Sequence, residues 1–235
     1  MRTEHRLWGL HSTAAVRSAS LLKAILLVAY LNRPEVRDRA LTKTDFRLIG
    51  PMIRRSDDAA AVRVLTLVGP RGVYAVARHA HMRRFSLARV VHWGHSRIDA
   101  EDQARFFLHI DARVAPRHRA TALHLLSSIV PAQRWGIGQV RVPGWRVYFK
   151  GGWSTGTGAV DHQVALLRRG NMRVAVAVLT THSPSHAYAK ETLRGVFERL
   201  LRGLCATCTS ASQISRRERS FATKPSTPES ASAAP

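Results

Sequence analysis

Three short groupings in this chain place a serine near a lysine or a carboxylate. Ser20-Leu21-Leu22-Lys23 sets a hydroxyl and an amine one helical turn apart, facing the same way. Ser56-Asp57-Asp58 follows, and Lys150-Gly151-Gly152 comes much later. Lysine is scarce here, five residues against thirty-two arginines. Arginine stays protonated in proteins, whereas a buried lysine can give up its proton, so the few lysines are the cations to examine for chemistry. A serine hydroxyl is a poor nucleophile until a base takes its proton, and a desolvated lysine can be that base. Negative charge developing at Ser20 would also be favoured by the unsatisfied N–H groups of a helix N-terminus. The chemistry in view is covalent acyl transfer. The plain alternatives are Ser20 as a helix cap, Lys23 snorkelling to solvent, Ser56-Asp57-Asp58 as a helix flank, and residues 151–158 as a glycine-rich turn.

Helical periodicity positions the first two groupings. Ser18 to Leu31 reads as a core helix carrying Leu21, Ile25, Val28 and Ala29, stopped by Asn32-Arg33-Pro34. A second helix begins at Thr42, with Asp45 three residues on as its capping partner and Phe46, Ile49 and Met52 on one side. Ala59 to Val68 is a third helix. Gly69 to Gly72 is a turn, Val73 to His81 helical, and Met82 to Arg97 a loop. Asp99 opens a helix that runs to about Arg113, and Pro116 to Ile129 is another. After Gly144 the period changes. Trp145 to Lys150, Val160 to Arg168 and Arg173 to Thr181 read as strands, with a hairpin turn at Arg169-Gly170-Asn171. Ser185 to Leu204 closes as a helix with Leu193, Phe197 and Leu201 on its apolar face. The class is α/β (α+β): a helical block, three antiparallel strands and a covering helix. Residues 1–204 read as one domain, and 205–235, rich in Ser, Thr, Ala and Pro, as a disordered tail.

In chain order the groupings read S-x-x-K, S-D-x and K-x-G, each on the element it needs. The chain resembles the class A β-lactamase and penicillin-binding serine hydrolase family over roughly residues 8–204. The resemblance implies a β-lactamase/transpeptidase-like fold and acyl-enzyme chemistry on a β-lactam or a peptidoglycan-type amide. It implies Ser20 as nucleophile, Lys23 as its base and Ser56 as proton shuttle to the leaving group. Lys150 would be the cation for the substrate carboxylate, and the N–H groups of Ser20 and Trp153 the oxyanion hole. Gly151 and Gly152 would let the strand approach the substrate closely. On these roles Lys23→Arg abolishes acylation and Lys150→Arg keeps part of it.

Three departures qualify the resemblance. Asp58 stands where the family has an asparagine, exchanging an amide for an acceptor-only carboxylate. Gly151 stands where a hydroxyl would meet the substrate. The deacylating glutamate has no counterpart, since no glutamate lies between Glu35 and Glu101. A catalytically inactive homologue that binds a cell-wall ligand or a partner is therefore the alternative. The family's N-terminal helix and two strands also find too few residues before Ser20, so a truncated sheet with one exposed edge is expected.

Composition narrows the rest. The formal net charge is +22, almost all arginine and scattered through every segment without a basic helix or an aromatic-interleaved patch, which argues against specific nucleic-acid binding and leaves a basic nucleic-acid-binding protein as the third reading. Cys205 and Cys208 form one C-x-x-C without the further ligands of a zinc site, and His79/His81 and His92/His95 have no carboxylate partners, so no metal or other cofactor is expected. Residues 152–158 lack the lysine and helix of a phosphate loop. The apolar run Leu21 to Leu31 is too short to span a bilayer, and no signal peptide is visible, although the family is usually extracytoplasmic. A monomer acting on a small substrate is the expectation.

Overall fold

A two-residue strand, β1 (Val16–Arg17), and a single 3-10 turn at Ala19–Leu21 lead into helix α1 (Leu22–Leu31). The computed structural model describes residues 1–154 and 159–206, with side chains to Leu204. Every residue of α1 is buried, Lys23 among them, so this helix is the axis of the core. Asn32 ends it, and Pro34 opens the short helix α2 (Pro34–Arg37) at a position where proline's missing N–H does no harm. Helix α3 (Lys43–Arg54) starts at the expected capping box: Asp45 N donates to Thr42 Oγ1 at 3.3 Å, and Thr42 N donates to Asp45 Oδ2 at 2.6 Å.

Helix α4 (Asp58–His79) joins two segments that the sequence separates by a turn. The break is real but confined to Gly69 (φ 64°, ψ 170°), a conformation open essentially to glycine, after which Pro70 restarts the helix. In length and composition α4 could cross a bilayer. Here it bends at Gly69 and packs against α1 and α3, with Ala61, Val64, Leu65 and Val73 buried.

The expected loop 82–97 contains a 3-10 segment at Val90–His95 and a strand, β2 (Arg97–Ile98), that pairs antiparallel with β1. Helix α5 (Ala100–Leu108) ends well short of Arg113. The reason lies outside the helix: Arg173 Nε donates to the Leu108 carbonyl at 2.8 Å, and Arg168 and Arg173 both bind Asp111, so the strands take over the end of α5. Helix α6 (Arg119–Ser127) follows a 3-10 turn at Pro116–His118.

Strands β3 (Arg146–Ser154), β4 (Val160–Arg169) and β5 (Met172–Thr180) form an antiparallel sheet in that order, turning at Gly170 and Asn171. β3 runs four residues past Lys150, because Gly151 and Gly152 stay in the ladder opposite Gln163 and His162. The glycine-rich turn is therefore corrected at its start, and residues 155–158 lie outside the described residues. At the outer edge of β5, Arg2 and Ala175 exchange two backbone bonds of 2.7 and 2.8 Å, which covers that edge at one point. Helix α7 (His186–Ala206) closes the described chain.

The chain divides into two units, Met1–Leu200 and Leu201–Pro235, and of the second only Leu201–Ala206 is described. The tail from Thr207 and the Cys205/Cys208 side chains lie outside the described residues.

Candidate active site

Ser56 sits in the turn between α3 and α4 with a left-handed backbone (φ 58°), a conformation that costs a non-glycine residue roughly 1–3 kcal/mol. The helices on both sides impose it. Arg55 N and Asp57 N both bond the Pro51 carbonyl, and Asp57 caps α4 by accepting from Ala60 N at 2.7 Å. The result presents both Ser56 oxygens to two buried lysines. Lys23 Nζ donates to Ser56 O at 2.5 Å and to Ser56 Oγ at 3.2 Å, and Lys150 Nζ lies 2.9 Å from Ser56 Oγ. Lys23 also pairs with Asp58 Oδ1 at 2.5 Å, and Lys150 donates to the Gly151 carbonyl at 2.7 Å. Five of the residues named from the sequence, Lys23 on α1, Ser56 in the α3–α4 turn, Asp58 at the start of α4, and Lys150 and Gly151 on β3, thus form one hydrogen-bonded group.

Ser20 is placed by a different route, in a turn whose backbone lies against Gly152 of β3. It sits in the 3-10 turn before α1, where the preceding Ala19 is also left-handed (φ 42°). No side-chain cap bond starts this turn or α1, so Ser20 is not a helix cap. Ser18 holds the turn from behind: its N–H donates to Ser96 O at 2.7 Å. β3 passes so close over the turn that a Cβ on Gly152 would fall 2.9 Å from both Ser20 N and Leu21 N. Only glycine permits that approach.

His162, opposite Gly152 on β4, fixes the other side of the turn. Thr180 N–H donates to its Nδ1 at 3.2 Å, which leaves Nε2–H to donate to Arg17 O at 2.9 Å. Burial lowers its pKa to about 4, so it holds this joint as a neutral ring.

The electrostatics separate the two lysines. Burial lowers the Lys23 pKa, opposed by the hydrogen bond and charge of Asp58 and by the charge of Asp57. Burial takes Lys150 well below the usual lysine range, and the Lys23 charge adds to the effect. Trp93 lies over Lys23 Nζ with its ring centroid 5.0 Å away, a cation–π contact.

Several contributors carry no sequence motif. Trp93 and Gly94 lie in the Val90–His95 segment read as loop, where the stacked His92 and His95 were the visible signal. A Cβ added to Gly94 would fall 3.8 Å from Ala19 Cα, and Ser18 Oγ donates to the Gly94 carbonyl at 3.4 Å. This segment brings no carboxylate to Lys23 or Ser20. Glu101 is in the first turn of α5, paired with Arg105 at 2.5 Å. Trp153 alternates to the sheet face opposite Gly152, where it stacks on His186 at 5.6 Å, with Trp135 edge-on to both. His186 Nδ1 binds Asp161 at 2.5 Å, and burial raises the Asp161 pKa against that bond. Any role of Trp153 toward Ser20 is therefore through its backbone. Among the described residues no three His, Cys, Asp or Glu side chains gather as metal ligands.

The fold is shared with solved β-lactamases. The β-lactamase of Sphaerobacter thermophilus DSM 20745 superposes with a TM-score of 0.73 at 20% identity, over 84% of this chain and 86% of that one. An ancestral class A β-lactamase gives 0.68 at 20% identity, over 83% and 88%. A double mutant of the chromosome-encoded β-lactamase of Vibrio parahaemolyticus gives 0.70 at 13% identity, over 83% and 88%. No curated protein matches the sequence. Residues 46–201, more than half of the chain, match the family described as the β-lactamase enzyme family, a span that holds Ser56, Asp58 and Lys150. On that match, and with the fold it describes, this chain belongs to the β-lactamase enzyme family.

Proposed function

We propose that the chain is a serine hydrolase that forms an acyl-enzyme on Ser20 with a β-lactam or a peptidoglycan-type amide. The observation that carries this reading is the Ser56 hydroxyl bracketed by two buried lysine amines, with the glycine edge of β3 against the Ser20 backbone. The Ser20 Oγ–carbonyl carbon bond forms as the Ser20 proton passes into the Ser56–lysine group. The amide C–N bond then breaks, and the leaving nitrogen takes a proton from Ser56. The N–H groups of Ser20 and Trp153 hold the oxyanion, a kind of stabilisation that typically contributes about 3–4 kcal/mol per donor. Gly152, lacking a Cβ, keeps the strand close enough to the Ser20 turn for this.

Hydrolysis of the acyl-enzyme needs a base for water. The Val90–His95 segment beside Ser20 supplies tryptophan, glycine and histidines in place of a carboxylate. The reading is therefore of a fast acylation and a slow release. Labelling with a fluorescent penicillin gives a covalent band that is absent in Ser20→Ala, and nitrocefin gives a burst near one equivalent followed by turnover at least about 100-fold slower, the scale of a missing general base. Steady turnover without a burst would overturn the slow-release part. No band with the wild-type chain would favour the second reading, a catalytically inactive homologue that binds a cell-wall ligand.

A further inference from the structure

Arg146 and Arg168 face each other directly across β3 and β4, four residues along β3 from Lys150. Arg173 of β5 stands opposite Arg168 in turn, so three arginines form a row across one face of the sheet. Like charges directly opposite one another destabilise a strand pair. Asp111 offsets two of the three, pairing with Arg173 and, at 3.3 Å, with Arg168. Arg146 is exposed, and among the described residues no carboxylate lies within ion-pair reach of it.

A cavity of about 650 Å³ opens beside Arg146 and Arg168, between α6 and the ends of β3 and β4. Arg169 also lines it, with its guanidinium 5.1 Å from the Trp145 ring centroid. α6 contributes an apolar wall through Ala120 and Leu123. No aspartate or glutamate lines the cavity, and neither do Ser20, Lys23, Ser56 or Lys150, so it is separate from the candidate active site. Tyr148 adds an independent observation. Its side chain lines the cavity and is only 7% exposed, yet its hydroxyl has no hydrogen-bond partner among the described residues. A buried phenol is normally hydrogen-bonded, so an open donor beside these guanidinium groups suits the oxygen of an anion.

We propose that this cavity binds a small organic phosphate: the phosphate group spans Arg146 and Arg168 and accepts from the Tyr148 hydroxyl, and the organic part lies against Ala120 and Leu123. A phosphate monoester brings three strong acceptor oxygens and a charge of about −1.5 to −2, enough for both guanidinium groups and the phenol. A carboxylate brings two oxygens and a single charge. Planar guanidinium forks also match phosphate geometry. The volume lies in the small-molecule range of roughly 300–1,000 Å³, more than inorganic phosphate alone fills. An anion bound there offsets the Arg146–Arg168 repulsion that Asp111 leaves in place. Binding at this site is independent of the chemistry proposed for Ser20.

A formal charge of +22 attracts any anion weakly, so binding in the cavity has to be separated from the field of the whole chain. Arg63 provides the control. It is exposed on α4 and outside the cavity, so Arg63→Gln removes the same charge without touching the site.

The probe is phenyl phosphate, titrated calorimetrically into the full chain at physiological salt. The expected result is saturable one-to-one binding, tighter than that of inorganic phosphate and tighter than that of benzoate. Arg146→Gln and Tyr148→Phe each weaken it about tenfold, the scale of a hydrogen bond to a charged group, while Arg63→Gln stays within about twofold of wild type. Without ligand, Arg146→Gln melts no lower than wild type, because it relieves the repulsion with Arg168, but it loses the rise in melting temperature that phenyl phosphate gives the wild type. Equal weakening in Arg63→Gln, binding without saturation, or benzoate held as tightly as phenyl phosphate overturns the proposal. So does a short duplex DNA that displaces phenyl phosphate at one equivalent, which would assign this face to nucleic acid. If Arg146→Gln fails to fold, Tyr148→Phe decides: unchanged affinity in that variant overturns the proposal.

Discussion

At the scale of single residues, the least replaceable atom in the site is one that is missing. Gly152 has no Cβ, and adding one would place a carbon 2.9 Å from the backbone nitrogens of Ser20 and Leu21. The atoms it would meet are main chain, which cannot rotate away as a flexible side-chain tip could. Gly152→Ala therefore has to push β3 off the turn, at a cost of about 1–3 kcal/mol for an overpacked contact. The same displacement moves the strand that supplies Lys150 and the Trp153 N–H. We expect a lower melting temperature together with a loss of fluorescent-penicillin labelling larger than the stability change accounts for. Labelling at the wild-type rate would show that the close approach has no part in acylation. Gly151 is less constrained, since its Cβ would meet only the Trp135 ring at 3.0 Å, on the other face of the sheet.

At the scale of elements, α4 is one helix built from two, and Gly69 is the joint. Its φ of 64° with ψ of 170° is open to glycine alone in practice, and no atom lies within 4 Å of where a Cβ would be. Gly69→Ala consequently isolates backbone strain from packing, and should destabilise the fold by about 1–3 kcal/mol in urea denaturation while acylation per folded molecule stays unchanged. An unchanged midpoint would mean that α4 can straighten. The sequence made this joint visible because Gly-Pro is a local signal. The Thr42–Asp45 box, the β3–β4–β5 order and the apolar run of α1 were legible for the same reason, each being written within a few neighbouring residues. The elements that were not legible depend on distant partners. β2 exists because Arg97 and Ile98 meet Arg17 and Val16, α5 ends early because Arg173 takes its last carbonyl, and β3 continues through two glycines because β4 is beside them. In the site, the motif residues could be named from the chain, but Trp93 over Lys23 and the tautomer-fixed His162 are products of folding with no spacing to betray them.

At the scale of the whole molecule, a formal charge of +22 is arranged around a few deeply placed carboxylates. Asp45 is the clearest: hydrogen bonds from Arg39 hold its carboxyl well below the usual range, burial opposes this, and Tyr30 and Thr42 bond it as well. Burial, with the hydrogen bond and charge of Asp45 added to it, pushes the Tyr30 hydroxyl up to about 12. Asp111 is lowered too, its burial outweighed by Arg173 and Arg168. A carboxylate depressed in the folded state contributes stability that is complete above its unfolded pKa of about 3.9 and disappears as pH falls toward the folded value. Melting temperature should therefore drop from about pH 5 downward, and Asp45→Asn should lower it at pH 7 and flatten the acid limb. An acid limb as steep as in the wild type would assign that loss to other groups. The Ser56 group has a different bearing on the whole chain. Its bonds reach Lys23 across 33 residues and Lys150 across 94, so the first waits for the helices to pack and the second for the sheet to close on them. Before that moment the proposed nucleophile and both amines are ordinary, separate, solvated side chains. The proposed reactivity would thus behave as an interlock, armed only by the completed fold, and a chain trapped halfway would carry every proposed reactive residue and none of the reactivity.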